Sequence, residues 1–262
     1  MSAMVPMGLE VAADAIGSAL AAQDGGAMRV ELCGGLDGGG LTPSFGTLAA
    51  VRDRLRIPLY VLIRPRVGDF VFDAAEVEAM RRDVEQCVRL GCDGVVLGAL
   101  TANGEVDTAT MRELIAAAGP LGVTFHRAFD VSADPRRALE DVIALGCERV
   151  LTSGARETAE EGADLIAELV QQAGARLSVM PGSGVTEVNL AQLRARTGAR
   201  EFHGSARGPL ASRATSPHPH VRSLGGDRMQ TDVTRVRRMV VLLEEPGPGT
   251  RDPGPGTPHP AA

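Results

Sequence analysis

The chain has 262 residues, 44% of them hydrophobic and 23% charged, with a net charge of −6. That is an ordinary globular composition, enough for one large α/β domain or two small ones. The acidic balance argues against nucleic acid or an anionic membrane surface as the main partner, and a chain with one tyrosine and no tryptophan lacks a platform on which single-stranded nucleic acid stacks.

No apolar run reaches the roughly 18 residues of a membrane span, and the N-terminus lacks the basic-then-apolar pattern of a leader peptide. The four cysteines, Cys33, Cys87, Cys92 and Cys147, form no CxxC pair. Reduced thiols in a cytoplasmic protein are therefore expected.

Residues 9–13 read as a weak first strand, followed by an Ala-rich helix over 14–23 that Gly25-Gly26 ends. Residues 28–33 form a second strand, with Val30 and Leu32 on one side and Glu31 on the other. A loop with five glycines in seven residues, 34–40, leads to Thr42-Pro43-Ser44, which opens a helix to about Leu55. The apolar strand 57–63 ends in Arg64-Pro65-Arg66, and Asp73 with Glu76 has the spacing of a capping box for a helix to about Leu90. A strand at 94–97, a turn at Asn103-Gly104 and a helix over 108–118 come next. The strand 123–125 stops at His126-Arg127, and Asp134-Pro135 starts a helix over 134–145. Strand 149–151, helix 157–172, strand 177–180, a helix from Thr186 to about Ala195, strand 200–203 and a helix over 231–243 complete the series.

Eight strands, each followed by a helix and mostly apolar on both faces, predict a single (β/α)8 TIM barrel over residues 8–244. A doubly wound open sheet is the alternative. Residues 206–228 carry three prolines with His218 and His220 and few apolar side chains; a mobile loop or lid is expected there. Residues 245–262 hold six prolines and four glycines, the composition of a disordered tail.

In a barrel, chemistry collects at the carboxyl ends of the strands. His126, Arg127 and Asp130 put three ionisable groups into five residues at one such end. Glu31 and His126 form a candidate acid/base pair, with Asp130 to orient His126 or Arg127. Arg64 and Arg66 are two residues apart, so they point the same way if strand geometry persists through Pro65. With Arg127 they either clamp a phosphate or carboxylate or pair internally with Glu31, Asp69 and Asp130. The loops after the seventh and eighth strands, Gly182-Ser183-Gly184 and Gly204-Ser205, suit a phosphate site that Ser153 could join. Metal chemistry has less support: there is no HExxH, and the one HxH, His218-Pro219-His220, lies in the expected loop. Cys33 is one soft ligand for Cu(I), with Met180 as a second.

Several motifs together resemble the CutC family. They are Arg29-Val30-Glu31-Leu32-Cys33 with Gly39-Gly40-Leu41-Thr42-Pro43-Ser44, Ile63-Arg64-Pro65-Arg66 with Gly68-Asp69-Phe70, Val123 through Asp130, and Arg149-Val150-Leu151-Thr152-Ser153-Gly154. The resemblance is collinear over about residues 8–206. It implies a cytoplasmic TIM barrel, a role in copper homeostasis with copper as the ligand, and a homodimer or higher oligomer. Related sequences carry a Cys pair at the end of the first strand, where this chain has Ala12-Ala13. Two functions follow from this reading: a copper-associated protein using Cys33, or a barrel enzyme acting on a small anionic metabolite.

Overall fold

The computed structural model describes residues 7–214 and 226–245. Eight parallel strands are β1 (Gly8–Ala13), β2 (Arg29–Leu32), β3 (Leu59–Leu62), β4 (Gly94–Leu97), β5 (Gly122–Phe125), β6 (Arg149–Thr152), β7 (Ser178–Pro181) and β8 (Glu201–Gly204). Neighbours in the sheet follow the chain from β1 to β7, and β8 pairs back onto β1. β7 and β8 lie side by side, so the sheet curls into a nearly closed TIM barrel.

Helices α1 (Ile16–Asp24), α2 (Phe45–Arg52), α3 (Ala74–Arg89), α4 (Thr108–Ala118), α5 (Pro135–Ala144), α6 (Ala163–Ala173), α7 (Leu190–Thr197) and α8 (Val233–Glu244) alternate with the strands. Local chemistry fixes several of their starts. Asp73 accepts from the Glu76 N–H while the Glu76 carboxylate accepts from the Asp73 N–H, a complete capping box. Asp134 accepts from the N–H groups of Arg136 and Arg137, with Pro135 in the first turn. None of the described helices is long and apolar enough to cross a membrane.

Strand alternation sorts the core into two parts. Leu9, Val11, Val30, Leu32, Leu59, Val61, Val95, Leu97, Val123 and Phe125 join the helices in one large apolar cluster. Cys33, Tyr60, Leu62 and Val96 form a separate small cluster inside the barrel. The expectation of strands apolar on both faces holds only for the outer one. The inner face carries Glu10, Arg29, Glu31, Arg149, Glu201 and His203, all buried. A barrel interior tolerates them because they satisfy one another, as described below.

Three segments differ from the sequence reading. α6 begins at Ala163 rather than at 157, because the Ala159 N–H is drawn to the Ser183 carbonyl in the next loop. α7 begins at Leu190, because the Asn189 side chain accepts from the Thr186 N–H and holds a turn there. The expected loop 206–228 has paired ends: β9 (Arg207–Leu210) and β10 (Arg228–Thr231) form an antiparallel ribbon with Arg207 opposite Thr231. Residues 215–225, with His218 and His220, and 246–262, with His259 and nearly all of the expected tail, lie outside the described residues.

Candidate active site at the carboxyl mouth of the barrel

The carboxyl mouth opens into a cavity of about 620 Å³ lined by Glu31, Cys33, Arg64, Phe70, His126, Arg127, Asp130, Gly184, His203, Ser205 and Arg207, among others. That volume is in the range of small-molecule sites. The groups around it fall into three sets.

The first set is a carboxylate–imidazole–carboxylate chain from β1, β8 and β2. His203 Nδ1 lies 2.8 Å from Glu10 Oε1, and His203 Nε2 lies 3.3 Å from Glu31 Oε2. Glu10 also accepts from Arg29 Nε. Burial presses the Glu10 carboxyl upward, but Arg29, His203 and Arg149 outweigh it and hold the group well below the usual carboxylate range. An ionised Glu10 makes Nδ1 of His203 the donor. Glu31 is the opposite case: burial, only partly offset by His203 and reinforced by Glu10, pushes it up to about 7. Burial opposes the charge on His203, yet Glu31 and Glu10 raise its pKa above the ordinary value. The pair thus retains one shared proton near neutral pH.

Below this chain, the barrel is filled by ion pairs. Arg29 Nη2 donates to Glu201 Oε1 at 3.0 Å, and Arg149 Nε donates to Glu201 Oε2 at 2.9 Å. Both guanidiniums stack on the Tyr60 ring, 5.1 and 5.4 Å from its centroid. The Tyr60 hydroxyl donates to Glu148. This network anchors Glu10 and, through it, His203.

The second set is Arg64 with His126. Arg64 is 9% exposed. Its Nη1 and Nη2 donate to the carbonyls of Gly40 and Gly68 at 3.1 and 3.2 Å, and its plane lies over Phe70. Among the described residues no carboxylate pairs with it and its buried Nε has no partner. Burial and the charge of Arg66 lower its pKa. His126 caps the turn after β5: its Nδ1 accepts from the Ala128 N–H at 3.1 Å. That bond places the ring proton on Nε2, which is also buried and unpartnered. Burial and then the Arg64 charge keep the imidazole neutral down to about 3. Gly98 on the neighbouring strand end makes room for the ring, since a Cβ there would collide with it.

The third set is Asp130 with Arg127 and Ser153. Asp130 accepts from Arg127 Nε at 2.8 Å, from the N–H groups of Ser153 and Ala155, and from the Thr152 and Ser153 hydroxyls. Arg127 Nη2 in turn donates to Ser153 Oγ at 2.9 Å. The carboxylate's acceptor capacity is filled, so it fastens the β6 loop and does not reach His126.

The expected residues therefore divide. Glu31, Arg64, His126, Arg127, Asp130, Gly184 and Ser205 share the cavity. Arg66 does not: β3 ends at Leu62 and the chain bends at 66–68, so the side chain turns away to Asp69, Glu76 and the Phe72 ring. Ser153 is occupied by Asp130 and the Arg156 carbonyl. Gly182 spends its N–H on the Thr152 carbonyl. Its bare Cα makes room for Leu151 and His203. Glu31 has His203, rather than His126, as its proton-sharing partner. His126 is a donor whose other nitrogen is already engaged.

Glu10, Arg29, Tyr60, Arg149, Glu201 and the role of His203 escape the sequence reading. The signal for them is the period-two polar series Glu10, then Arg29/Glu31, Tyr60, Arg149 and Glu201/His203 on otherwise apolar strands.

Cu(I) prefers thiolate and thioether ligands. The Cys33 thiol donates to the Ala13 carbonyl at 3.6 Å, and burial and the Glu31 charge push its pKa strongly upward. Met180 Sδ accepts from the Arg29 guanidinium at 3.7 Å, which sets a cation against that sulfur. Among the described residues, the one group of three clustered His, Cys, Asp and Glu ligands is Glu10, Glu31 and His203, and it contains no sulfur. This donor set does not fit Cu(I).

The CutC family profile matches residues 7–208. A family protein CutC from Xanthomonas campestris pv. campestris (strain B100) is 75% identical over 238 residues, covering 91% of this chain and 99% of its own. One from Xylella fastidiosa (strain 9a5c) is 68% identical over 241 residues, covering 92% and 90%. The crystal structure of CutC from Streptococcus agalactiae, described as a candidate copper homeostasis protein, superimposes with a TM-score of 0.73 at 34% identity, covering 76% of this chain and 98% of that one. With these matches spanning the barrel strands and the mouth residues, the chain belongs to the CutC family.

Proposed function

We propose that this TIM barrel is an enzyme that binds a small anionic metabolite at its carboxyl mouth, against Arg64 and His126, and moves a proton with the Glu31–His203 pair. One observation carries the reading. Arg64, whose guanidinium has no carboxylate partner among the described residues, and His126, whose N–H has no acceptor among them, line the same cavity. An unpaired buried charge is costly, and a ligand anion supplies the missing partner. The loops after β7 and β8, through Gly184 and Ser205, offer further contacts to a phosphate.

The test is calorimetric titration of inorganic phosphate and of pyruvate into wild type and Arg64→Gln. Binding by wild type that weakens at least tenfold in the variant supports the reading; equal binding by both proteins, or none by wild type, refutes it.

Copper binding is a second proposal, resting on the description of the Streptococcus agalactiae relative. Anaerobic Cu(I) competition on wild type and Cys33→Ala decides it, and the donor set around Cys33 favours weak binding that ignores the substitution. A cytoplasmic location is supported by four free, buried cysteines.

A further inference from the structure

Building on the anion-binding reading, we propose that the substrate is a small carbonyl compound with an acidic neighbouring C–H. Glu31 takes that proton while the His126 Nε2–H holds the developing enolate oxygen and the Arg64 Nε–H holds the substrate's anionic group.

His126 Nδ1 accepts from the Ala128 N–H, so Nε2 already carries a proton and cannot receive one. The residue is therefore a fixed donor, and its neutrality matters. A resting anion is served by cationic donors such as Arg64. A neutral N–H contributes most where negative charge develops during the reaction, as on a carbonyl oxygen becoming an enolate oxygen. The ring is preorganised for this role: the turn after β5 fixes Nδ1, Phe70 packs beside the imidazole with ring centroids 5.0 Å apart, and Gly98 leaves it space.

The opposite requirement, a proton acceptor inside the same cavity, is met by Glu31. Its carboxylate is 5% exposed and rests on His203 Nε2, whose other nitrogen is tied to the ionised Glu10. A desolvated carboxylate with a pKa near the operating pH is suited to take and return a proton. The donors follow β3 and β5, and the base lies on β2 with its partner on β8, so all four groups line one cavity.

The step balances without a co-reactant. The C–H bond breaks and its proton passes to a Glu31 oxygen. The C–H electron pair forms the new C=C bond as the carbonyl π pair moves onto oxygen, which accepts the His126 Nε2–H hydrogen bond. Return of the proton to the same carbon restores the carbonyl and regenerates Glu31.

The experiment is solvent deuterium exchange followed by proton NMR, with the full chain and probes pyruvate, 2-oxobutyrate and dihydroxyacetone phosphate. Benzoylformate, which has no neighbouring C–H, is the binding control. The expected result is enzyme-dependent loss of the C–H signal from at least one probe. That exchange should fall on the order of 100-fold in Glu31→Gln, the usual contribution of a general base, and rise with pH through about 7 in wild type. His126→Gln should lower the rate while leaving the pH profile in place. Circular dichroism checks that each variant is folded, and the wild-type pH profile stands even if one is not.

Line broadening that shows binding of the probes, with no exchange above buffer, overturns the enolisation step and leaves the anion reading intact. Exchange untouched by Glu31→Gln also overturns it. Failure of every probe and of benzoylformate to bind sinks both readings.

Discussion

Glu31→Gln separates the cost of a buried carboxylate from its use. The substitution keeps the volume and leaves a hydrogen-bonding partner for His203 Nε2. In the folded protein the Glu31 pKa rises from 4.5 to about 7. The native state therefore keeps a proton that the unfolded chain releases above about 4.5, and stability drains as pH climbs from there to about 7. At about 1.4 kcal/mol per pH unit the loss is roughly 3 kcal/mol. This is a ceiling, because His203 shares the proton and loses one of its two carboxylate partners in the variant. The raised His203 pKa has the same sign: its contribution is present below its ordinary value and lost as pH rises through the elevated one. Glu31→Gln is therefore expected to match wild type near pH 5 and to exceed it near pH 8. At roughly 2–4 °C per kcal/mol for a chain of this size, the gain in Tm has a ceiling of about 6–12 °C. Thermal unfolding followed by circular dichroism at pH 5, 6, 7 and 8 reads it directly. A variant that is less stable than wild type at pH 8, or that differs equally at pH 5 and pH 8, refutes the assignment of a desolvated, proton-sharing Glu31.

Three further outcomes are expected. Gly98→Ala drives a methyl group into the His126 imidazole and against Ala128; it should cost about 1–3 kcal/mol in urea unfolding and weaken pyruvate binding at least tenfold by calorimetry. Glu201→Gln leaves Arg29 and Arg149 without their shared carboxylate and should destabilise the barrel by about 3–5 kcal/mol, measured by the urea midpoint at pH 7. Asp130→Asn removes a carboxylate acceptor from the Ser153 and Ala155 N–H groups. It should cost about 1–3 kcal/mol and speed proteolysis of the loop after β6, with little change in the pH profile of exchange.

The barrel is legible in the sequence because every strand buries an outer face against helices, and the resulting apolar runs recur between helix starts marked by Asp73 and Asp134. The mouth is legible in part, since residues after a strand such as Arg64 and His126 stand out as polar breaks. What the strand-end reading cannot supply is direction. Arg64 and Arg66 share a parity, yet the chain leaves strand geometry at Leu62 and they diverge, one into the cavity and one to Glu76. The tautomer of His126 depends on the Ala128 N–H, a backbone group with no signature in the sequence. The inner charges are harder still. Arg29, Arg149 and Glu201 open their strands, where a charged residue ordinarily faces solvent, and Glu10 is one carboxylate in an apolar run. Only closure of the sheet brings them into pairing distance across residues 10 to 201.

Arg64 and His126 wait for the same anionic ligand. Side-chain proton–nitrogen NMR observes it most directly, through the Arg64 Nε–H and His126 Nε2–H resonances, assigned by Arg64→Gln and His126→Gln and followed as pyruvate and then phosphate are titrated in. Both resonances are expected to move together, saturating at one affinity, as each donor gains its missing acceptor. Saturable binding that leaves both resonances in place would put the ligand elsewhere and rule out Arg64 and His126 as its donors.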